Sequence, residues 1–520
     1  MERVTKEEYT DLAIMEIDAM FESFKLKREI ANEMRKLQLK ELKMRNEMIE
    51  NYAQSGASRI RKAFRGSYDY VNTVDEDTGD TKDILTARSL QLFMSNPISR
   101  GAIEKVRTNV VGRGLKPKPK IDNKLLNLSN KELEQAQQGL QTLWNLWAET
   151  TECDIARVHN FYQLQNLAML TWLVEGECFA LLPFERRTGE IFETKVRFLN
   201  GNNCQSQVSD EFTKNGVEFN KNNEPVAYFF KNNKHEYKRV PTFSATGRRN
   251  LIHLFEKERI DQRRGVPFLS PVLETLSQLN RYSNAELTNA VLSSLFTVFI
   301  TSDKDTQTSN KIGGVNFIEN KKNPDEKEMS LGSGNLFRLN PGERLEFANP
   351  SRPNTNYENF CNIVCKQIGT ALGIPQEVLL SSFNASYSAS KASLLEAWKM
   401  YTMRRNWLIN NFCQPIYETF IDECVSRGLI ELKGYTENEI YRRAYLQTEW
   451  YGQTQGQIDP NKEVKASIMK IDAGLSTLSR EAMELNGSNW ADNLEQRKLE
   501  ILKLNELAKI KKEGRKNGLS

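Results

Sequence analysis

Residues 357–391 read YENFCNIVCKQIGTALGIPQEVLLSSFNASYSASK. The first part predicts a helix over Tyr357–Leu372. Gly373-Ile374-Pro375 stops it, because glycine leaves a helix at little steric cost and proline cannot continue one. From Gln376 to Ser393 the chain carries Ser381, Ser382, Ser386, Ser388, Ser390 and Ser393 and reads as a loop of small hydroxylated side chains, feeding a further helix through about Cys424. Upstream, Val272, Leu276, Leu279, Ala285, Leu287, Val291, Leu292 and Leu295 form an apolar stripe that predicts a long helix from Pro267 to Ile300. Residues 301–345 then break into a polar insert with short apolar runs at Val315–Ile318 and Leu336–Leu339. Two helices folded back on each other, with an insert between them and a serine-rich loop after them, are the expected frame.

The frame sits in a chain of 520 residues, enough at roughly 150 residues per domain for several cores. Lys and Arg total 72 against 68 Asp and Glu, a net charge of +4, so any nucleic-acid contact must come from local patches. Seven cysteines in no compact framework fit a reducing compartment. No segment approaches the roughly 20 apolar residues that cross a bilayer, and the charged start offers no apolar signal core, so a soluble, cytoplasmic chain is expected. A mean hydropathy of −0.59 suits long polar extensions or an assembly with much wetted surface.

Residues 1–65 space Leu12, Met15, Ala19, Ile30, Met34, Leu37, Met44 and Met48 mostly by three or four, an amphipathic helical extension. A basic cluster, Arg59 to Arg65, follows, and Asp69–Asp83 reads as an acidic linker. Leu85–Val111 is helical with a restart at Asn96-Pro97. Lys116-Pro117-Lys118-Pro119-Lys120 forms an extended basic arm, since its prolines deny helix. A helix-rich block follows from Lys131, ended by a strand near Glu177–Phe184. Short alternating runs between Ile191 and Phe243 predict a small antiparallel sheet. A final helical region begins after Asp459-Pro460 and runs into a tail where Glu495–Lys516 holds eight Lys or Arg against four Glu.

Catalytic constellations are missing from this pattern. No Gly-rich phosphate cradle ends in Lys-Ser or Lys-Thr, and Gly313-Gly314 reads as a strand turn. Gly332-Ser333-Gly334 has the wrong spacing for a nucleophile elbow. His159, His235 and His253 are not at ligand spacing, and Cys361 with Cys365 makes at most half a zinc site. Asp75, Asp77 and Asp80 lie in an acidic loop with no base. The expectation is no enzyme, no cofactor and no metal, with weight moved toward mechanical or binding roles.

Several fragments, in order, resemble the portal proteins of tailed bacteriophages, specifically the lambda-like portal family. They are Gly176-Glu177-Cys178-Phe179; Ile252-His253-Leu254-Phe255 with Gln262-Arg263-Arg264-Gly265-Val266-Pro267; Leu339-Asn340-Pro341-Gly342-Glu343; Leu372-Gly373-Ile374-Pro375; Asn384-Ala385-Ser386-Tyr387-Ser388-Ala389-Ser390-Lys391-Ala392; Ile458-Asp459-Pro460-Asn461-Lys462-Glu463; and Gly474-Leu475-Ser476-Thr477. They span about residues 90–490. The family usually carries Asn-Tyr-Ser-Ser-x-Arg where this chain has Ala385 to Lys391, so the basic character survives in a changed register. Residues 1–65 fall outside the resemblance.

The resemblance implies an α+β portal-type fold with long stem helices, a mixed α/β wing, a clip insert and a helical C-terminal crown. Its expected parts are a wing with a β-containing region over 66–266, stem helices over 267–300 and 346–375, and a clip over 301–345. A tunnel loop over 376–391, a wing helix and return over 392–458, and a crown with basic tail over 459–520 complete it. The implied function is a ring, typically a dodecamer, at one capsid vertex, through which double-stranded DNA enters and leaves. Terminase large subunit, head-completion or adaptor proteins, and major capsid or scaffolding protein are the implied partners. No membrane is implied, and the protein is expected in the virion and, during assembly, in the host cytoplasm. Ser381, Ser382, Asn384, Ser386, Ser388, Ser390 and Lys391 are the expected channel residues, Lys391 leading because ring copies multiply its charge. Lys116, Lys118, Lys120, Arg404 and Arg405 are candidate DNA or intersubunit contacts. The alternatives are a metal-dependent DNA-processing enzyme and a capsid or tail structural protein without a channel.

Overall fold

The computed structural model describes residues 22, 25–41 and 72–517, apart from 80, 207–209, 211, 233, 295–297, 303–310, 313–314, 317–342, 348–355, 384–385, 456–459 and 489. The chain divides into two units, Met1–Thr73 and Val74–Ser520. In the first, residues 25–41 are helical and exposed along their length. The remainder of the pattern expected over 1–65, with its basic cluster, lies outside the described residues.

The second unit opens with helices α1 (Lys82–Ser95) and α2 (Pro97–Val110). The restart is as expected: Asn96 is extended, its side chain accepts the Ser99 N–H at 2.9 Å, and Pro97 takes the first helical position. The linker expected over 69–83 is instead partly helical, with Val74–Thr78 forming a short helix and Val74 and Lys82 buried. The acidic run of that stretch suits a helix start as well as a loop. Strand β1 (Lys116–Pro119) is the extended arm that its prolines require. Helices α3 (Asn130–Ala148) and α4 (Phe161–Glu175) each begin with a reciprocal capping box, Ser129 with Glu132 and Asn160 with Gln163.

Two antiparallel sheets follow. One has the order β3-β2-β8, from β2 (Cys178–Leu181), β3 (Arg197–Leu199) and β8 (Leu251–Leu254). The other is a meander of β4 (Thr213–Lys214), β5 (Val217–Phe219), β6 (Pro225–Lys231) and β7 (Tyr237–Pro241). Phe179, Tyr228, Phe230 and Leu251 join them through a small apolar cluster.

Helix α5 (Leu273–Ser294) stops short of the expected Ile300. Val298–Ser302 forms strand β9, which pairs antiparallel with β12 (Glu343–Phe347), while β10 (Lys311–Ile312) pairs with β11 (Val315–Asn316). Val298, Phe299, Ile300 and Thr301 are β-branched or aromatic and favour a pleated strand over a last helical turn. The run Leu336–Leu339 lies outside the described residues. Helix α6 (Tyr357–Leu372) ends as its sequence requires, on Gly373 at φ 69°.

After the short helix α7 (Gln376–Leu380) comes α8 (Tyr387–Leu408), continued through a π turn at Ile409–Cys413 into α9 (Gln414–Ser426). Helix α10 (Glu439–Tyr445) and strand β13 (Thr448–Tyr451) return the chain to β1, with Lys116 opposite Tyr451 and Pro119 opposite Thr448. Three helices close the sequence: α11 (Pro460–Asp472), α12 (Leu478–Asn486) and α13 (Trp490–Asn517).

The main core is aromatic. The Trp144 ring lies 5.1 Å from those of Trp147 and Phe161, 5.2 Å from Tyr417 and 5.7 Å from Phe420, so α3, α4 and α9 meet around one side chain. The architecture is a mixed α/β fold with long helices and several antiparallel sheets. The seven cysteines are free thiols. Among the described residues no helix is long and apolar enough to cross a membrane.

Candidate functional site

Much of 376–391, where the resemblance implies a tunnel loop, is helical in the structure. Val378 and Leu379 bury themselves and fold Gln376–Leu380 into α7. Ser381 closes that helix at φ 53°, its N–H donating to the Val378 carbonyl at 3.3 Å, and the Ser382 N–H donates to the Glu377 carbonyl at 3.1 Å. Lys105 of α2 reaches across to donate to the Leu379 carbonyl at 2.7 Å, and burial lowers its pKa from the usual lysine range. One end of the turn is therefore pinned to the core.

At the other end Ser386 is the N-cap of α8, and its Oγ accepts the Ala389 N–H at 3.5 Å. Ser388, Ser390 and Lys391 are thus in the first turns of a helix, not in a loop. Serine is read as a loop former, but it is equally a helix starter, which is the role taken here. Between α7 and α8 the described residues Ser381, Ser382, Phe383 and Ser386 are non-helical. Ser381, Ser382, Ser386 and Ser388 are exposed; Asn384 lies outside the described residues. Phe383, 47% exposed in the middle of the turn, was not picked out from sequence. The signal was available, since it is the sole aromatic between Ile374 and Tyr387.

Lys391 does not stand alone: its Nζ is 3.9 Å from the Glu463 carboxylate of α11, across a cleft that Leu394, Ser467, Lys470 and Glu481 also line. The basic arm is likewise engaged within its own chain. Lys116 pairs with Glu149 at 3.3 Å and lies over the Tyr162 ring, Lys118 donates to Ser479 at 2.9 Å, and Lys120 pairs with Glu449 on the adjacent strand.

Arg404 is packed 4.4 Å over the Phe268 ring and 5.6 Å from that of Trp172. Arg405 donates to the carbonyls of Val110 at 2.9 Å and of Asn109 and Gln453 at 2.7 Å, so it caps the C-terminus of α2 and fixes the chain after β13. Burial lowers the Arg405 pKa to about 10. Both half-buried arginines are engaged within this chain, Arg404 on aromatic rings and Arg405 on backbone carbonyls. Their stems were placed on a helix face that packs inward, so the charge is spent on carbonyls and rings.

Two of the fragments that carry the resemblance, Gly176–Phe179 and Ile252–Phe255 with Gln262–Pro267, converge elsewhere, on a buried ion cluster. Glu177 is fully buried and accepts from Arg264 at 2.5–3.0 Å, from the Gly265 N–H at 3.0 Å and from Lys82 at 2.8 Å, with His253 Nε2 at 3.1 Å. The Arg264 guanidinium also donates to the carbonyls of Cys204, Asn215 and Gly201. The His253 ring is stacked between Phe179 and Phe255. Burial alone would raise the Glu177 pKa, but Arg264, the His253 hydrogen bond and Lys82 reverse this and hold it well below the usual carboxylate range. Burial lowers His253 from its ordinary value, outweighing its bond to Glu177.

Beside the cluster, a Cβ on Gly265 would lie 2.0 Å from the Gly176 carbonyl oxygen, so the two backbones approach where no side chain fits. The arrangement locks the start of β2, the end of β8 and the entry to α5 together. It holds these three segments in register. Among the described residues no group of three or more His, Cys, Asp or Glu could hold a metal ion.

Comparison with known proteins bears on this arrangement. The family described as "Phage portal protein, lambda family" matches residues 62–405. Portal protein B of Escherichia phage lambda is 22% identical over 426 residues, covering 76% of this chain and 79% of that protein, and the portal protein of Escherichia phage N15 matches to the same extent. Among solved structures, a chain in the virion of a native gene transfer agent particle aligns at 13% identity with a TM-score of 0.42, covering 79% of this chain and 94% of that one. A chain from the neck of the empty particle, computed with C6 symmetry, aligns at 12% identity and a TM-score of 0.42, covering 77% and 94%. The family match takes in the ion cluster, α5, α6 and the exposed turn before α8, and its members are structural rather than catalytic: the chain belongs to the lambda family of phage portal proteins.

Proposed function

We propose that this portal protein forms a ring, of twelve copies, at one capsid vertex, and that double-stranded DNA passes through its centre during packaging and ejection. The observation that carries the reading is the family match over 62–405, which includes both long helices and the turn between α7 and α8. In this reading α5 and α6 are the stem, and the strands within 298–347 belong to a clip that meets the terminase large subunit and later the head-completion proteins. The two sheets and the aromatic core are the wing, facing capsid or scaffolding protein, and α11–α13 are the crown.

The turn 381–386 is the segment that faces DNA. A conduit must let phosphates pass in every rotational and axial register, so base-specific hydrogen bonding would trap the duplex, whereas small hydroxyls and dispersed charge do not. The exposed Ser381, Ser382 and Ser386 meet that requirement. Lys391, 3.9 Å from Glu463, adds only a partly shielded charge to the channel wall.

Cryo-electron microscopy of the purified full chain tests the reading. The expected image is an axial ring with an opening wide enough for a duplex and the 381–386 turn on its inner surface. Compact monomers, a closed assembly, or that turn on the outer rim would overturn it. Replacing 382–385 by glycine should leave rings intact and impair packaging.

A further inference from the structure

The two antiparallel sheets pack face to face, and at one margin their facing sides carry cations. In β2 and β3, Arg197 stands opposite Leu181 and Leu199 opposite Phe179. In the meander, Lys238 stands opposite Phe230 and Val240 opposite Tyr228. Phe179, Tyr228, Phe230 and Val240 belong to the apolar cluster between the sheets. Paired residues and alternate residues share a side of a sheet, so Arg197 and Lys238 are on the inward sides. Both line a cleft over Leu181 and Val240, as do Lys231 and Lys234. The one carboxylate in its lining, Glu236, is occupied by the Asn232 amide at 2.8 Å. The four cations have no ion-pair partner among the described residues.

A second cleft continues the first past Leu181, Lys238 and Val240 to Phe184 and Arg248. There Arg248 Nη1 donates to the Leu182 carbonyl at 3.0 Å, while Nη2, shielded from solvent, has no protein partner among the described residues. Cations gathered on one groove without counter-charges repel one another, so the groove suits an anionic occupant.

The wall of the groove decides what kind of anion fits. Strand β7 ends the meander and pairs on one side only, with β6. The Thr242 N–H donates to the Val226 carbonyl at 2.8 Å and the Asn232 N–H to the Glu236 carbonyl at 2.9 Å. Hydrogen-bonded pairs alternate along an antiparallel ladder, so Lys238 and Val240 turn their backbone groups to β6 while Tyr237 and Arg239 turn theirs outward. Such an edge is a template for another strand. A second copy of the same edge would set lysine near lysine, which is unfavourable across a ladder. An acidic strand meets attraction instead.

We propose that this groove takes an extended acidic segment of a partner protein, added to β7 as a fifth strand of the meander. Its carboxylates lie beside Lys238 and Arg197, and an apolar side chain between them covers Leu181 and Val240. Main-chain hydrogen bonds to Tyr237 and Arg239 supply the pairing, and the cations select the sign of the partner's charge. Every group involved belongs to one subunit, so the site is complete without the ring.

The probe is a fluorescein-labelled peptide, Asp-Thr-Glu-Thr-Val-Thr-Glu-Thr-Asp, whose extended form has one acidic and apolar face and one threonine face. It is titrated with the full-length protein and followed by polarisation. Saturable binding is expected, weakened about tenfold or more in the double variant Arg197→Glu with Lys238→Glu. The peptide with lysine at every acidic position should ignore the unaltered chain and bind the double variant, which also shows that the variant is folded. Methylation of alternate amide nitrogens separates strand addition from plain charge attraction. Only one alternate set faces β7, so one methylated peptide should lose binding and the other keep it. Equal behaviour of the two methylated peptides would overturn the proposal, as would no binding of the unmodified peptide or no recovery by the lysine peptide. Displacement of the peptide by an equal concentration of duplex DNA would overturn it too, the groove then being a general anion surface. None of these outcomes touches the portal reading.

Discussion

Two parts of this chain are rich in apolar side chains and end in opposite environments. Around Trp144 the rings of Trp147, Phe161, Tyr417 and Phe420 close on one another and exclude water. On α5 the stripe begins in the same way, with Leu276 and Leu279 buried, but further along Leu287 and Val291 are 65% and 52% exposed, and on α6 Phe360 and Ile363 are exposed as well. The first region is complete in one subunit. The second leaves large apolar side chains exposed on two neighbouring helices of one subunit.

The sharpest way to probe that contrast is to damage the complete region. Trp144→Ala should cost about 3–5 kcal/mol of subunit stability, read from the denaturant midpoint of dissociated protein, because a rigid aromatic shell collapses poorly into the cavity. A loss below about 1 kcal/mol would mean that the core is looser than its ring contacts imply. Glu177→Ala strands Arg264 without its partner and should cost a similar amount, about 3–5 kcal/mol.

The same cluster predicts a pH dependence with a definite sign. The folded state holds the Glu177 pKa well below 4.5 and the His253 pKa below 6.5. The unfolded chain therefore binds protons that the folded chain declines. Stability should be full above 6.5, fall as His253 becomes protonated in the unfolded state, and fall further below 4.5 through Glu177. Thermal unfolding across that range should show the acid-side loss shrink in Glu177→Gln. An unchanged profile would remove the cluster from the account.

Arg405→Ala comes next, at about 2 kcal/mol, since three carbonyls lose a charged donor. The smallest expected change is in the incomplete region. Leu287→Asp with Val291→Asp should alter subunit stability by no more than about 0.5 kcal/mol, yet abolish rings in sedimentation. If instead the subunit unfolds, those side chains serve the monomer and the contrast fails.

Much of the frame was legible because local chemistry decided it. Asn96-Pro97 starts a helix and Gly373 ends one for reasons contained within four residues. The end of α5 was misjudged because the stripe of leucines was followed beyond the point where Val298-Phe299-Ile300-Thr301 changes the preferred backbone. The serines of 381–390 were assigned to one loop because composition does not separate a turn residue from an N-cap. Lys116, Lys118 and Lys120 looked available because their partners, Glu149, Ser479 and Glu449, are far away in sequence. Fragments around Glu177, His253 and Arg264 were recognised singly, but nothing local says that they share one carboxylate.

The four-residue ribbon of β1 with β13 has a further consequence for where the chain can be cut. It ties Lys116 to Tyr451, so the residues from 117 to 450 hang as a single closed loop between them. The entropy of closing a loop rises only with the logarithm of its length, so a few backbone hydrogen bonds, helped by Arg405 gripping Gln453, can hold so long a span. A truncation after Gln453 keeps that clasp, whereas one before Thr448 opens it. A fragment that ends just past the ribbon keeps this closure but gives up the contacts of α11 and α12 with the rest of the chain, Glu463 with Lys391 and Ser479 with Lys118.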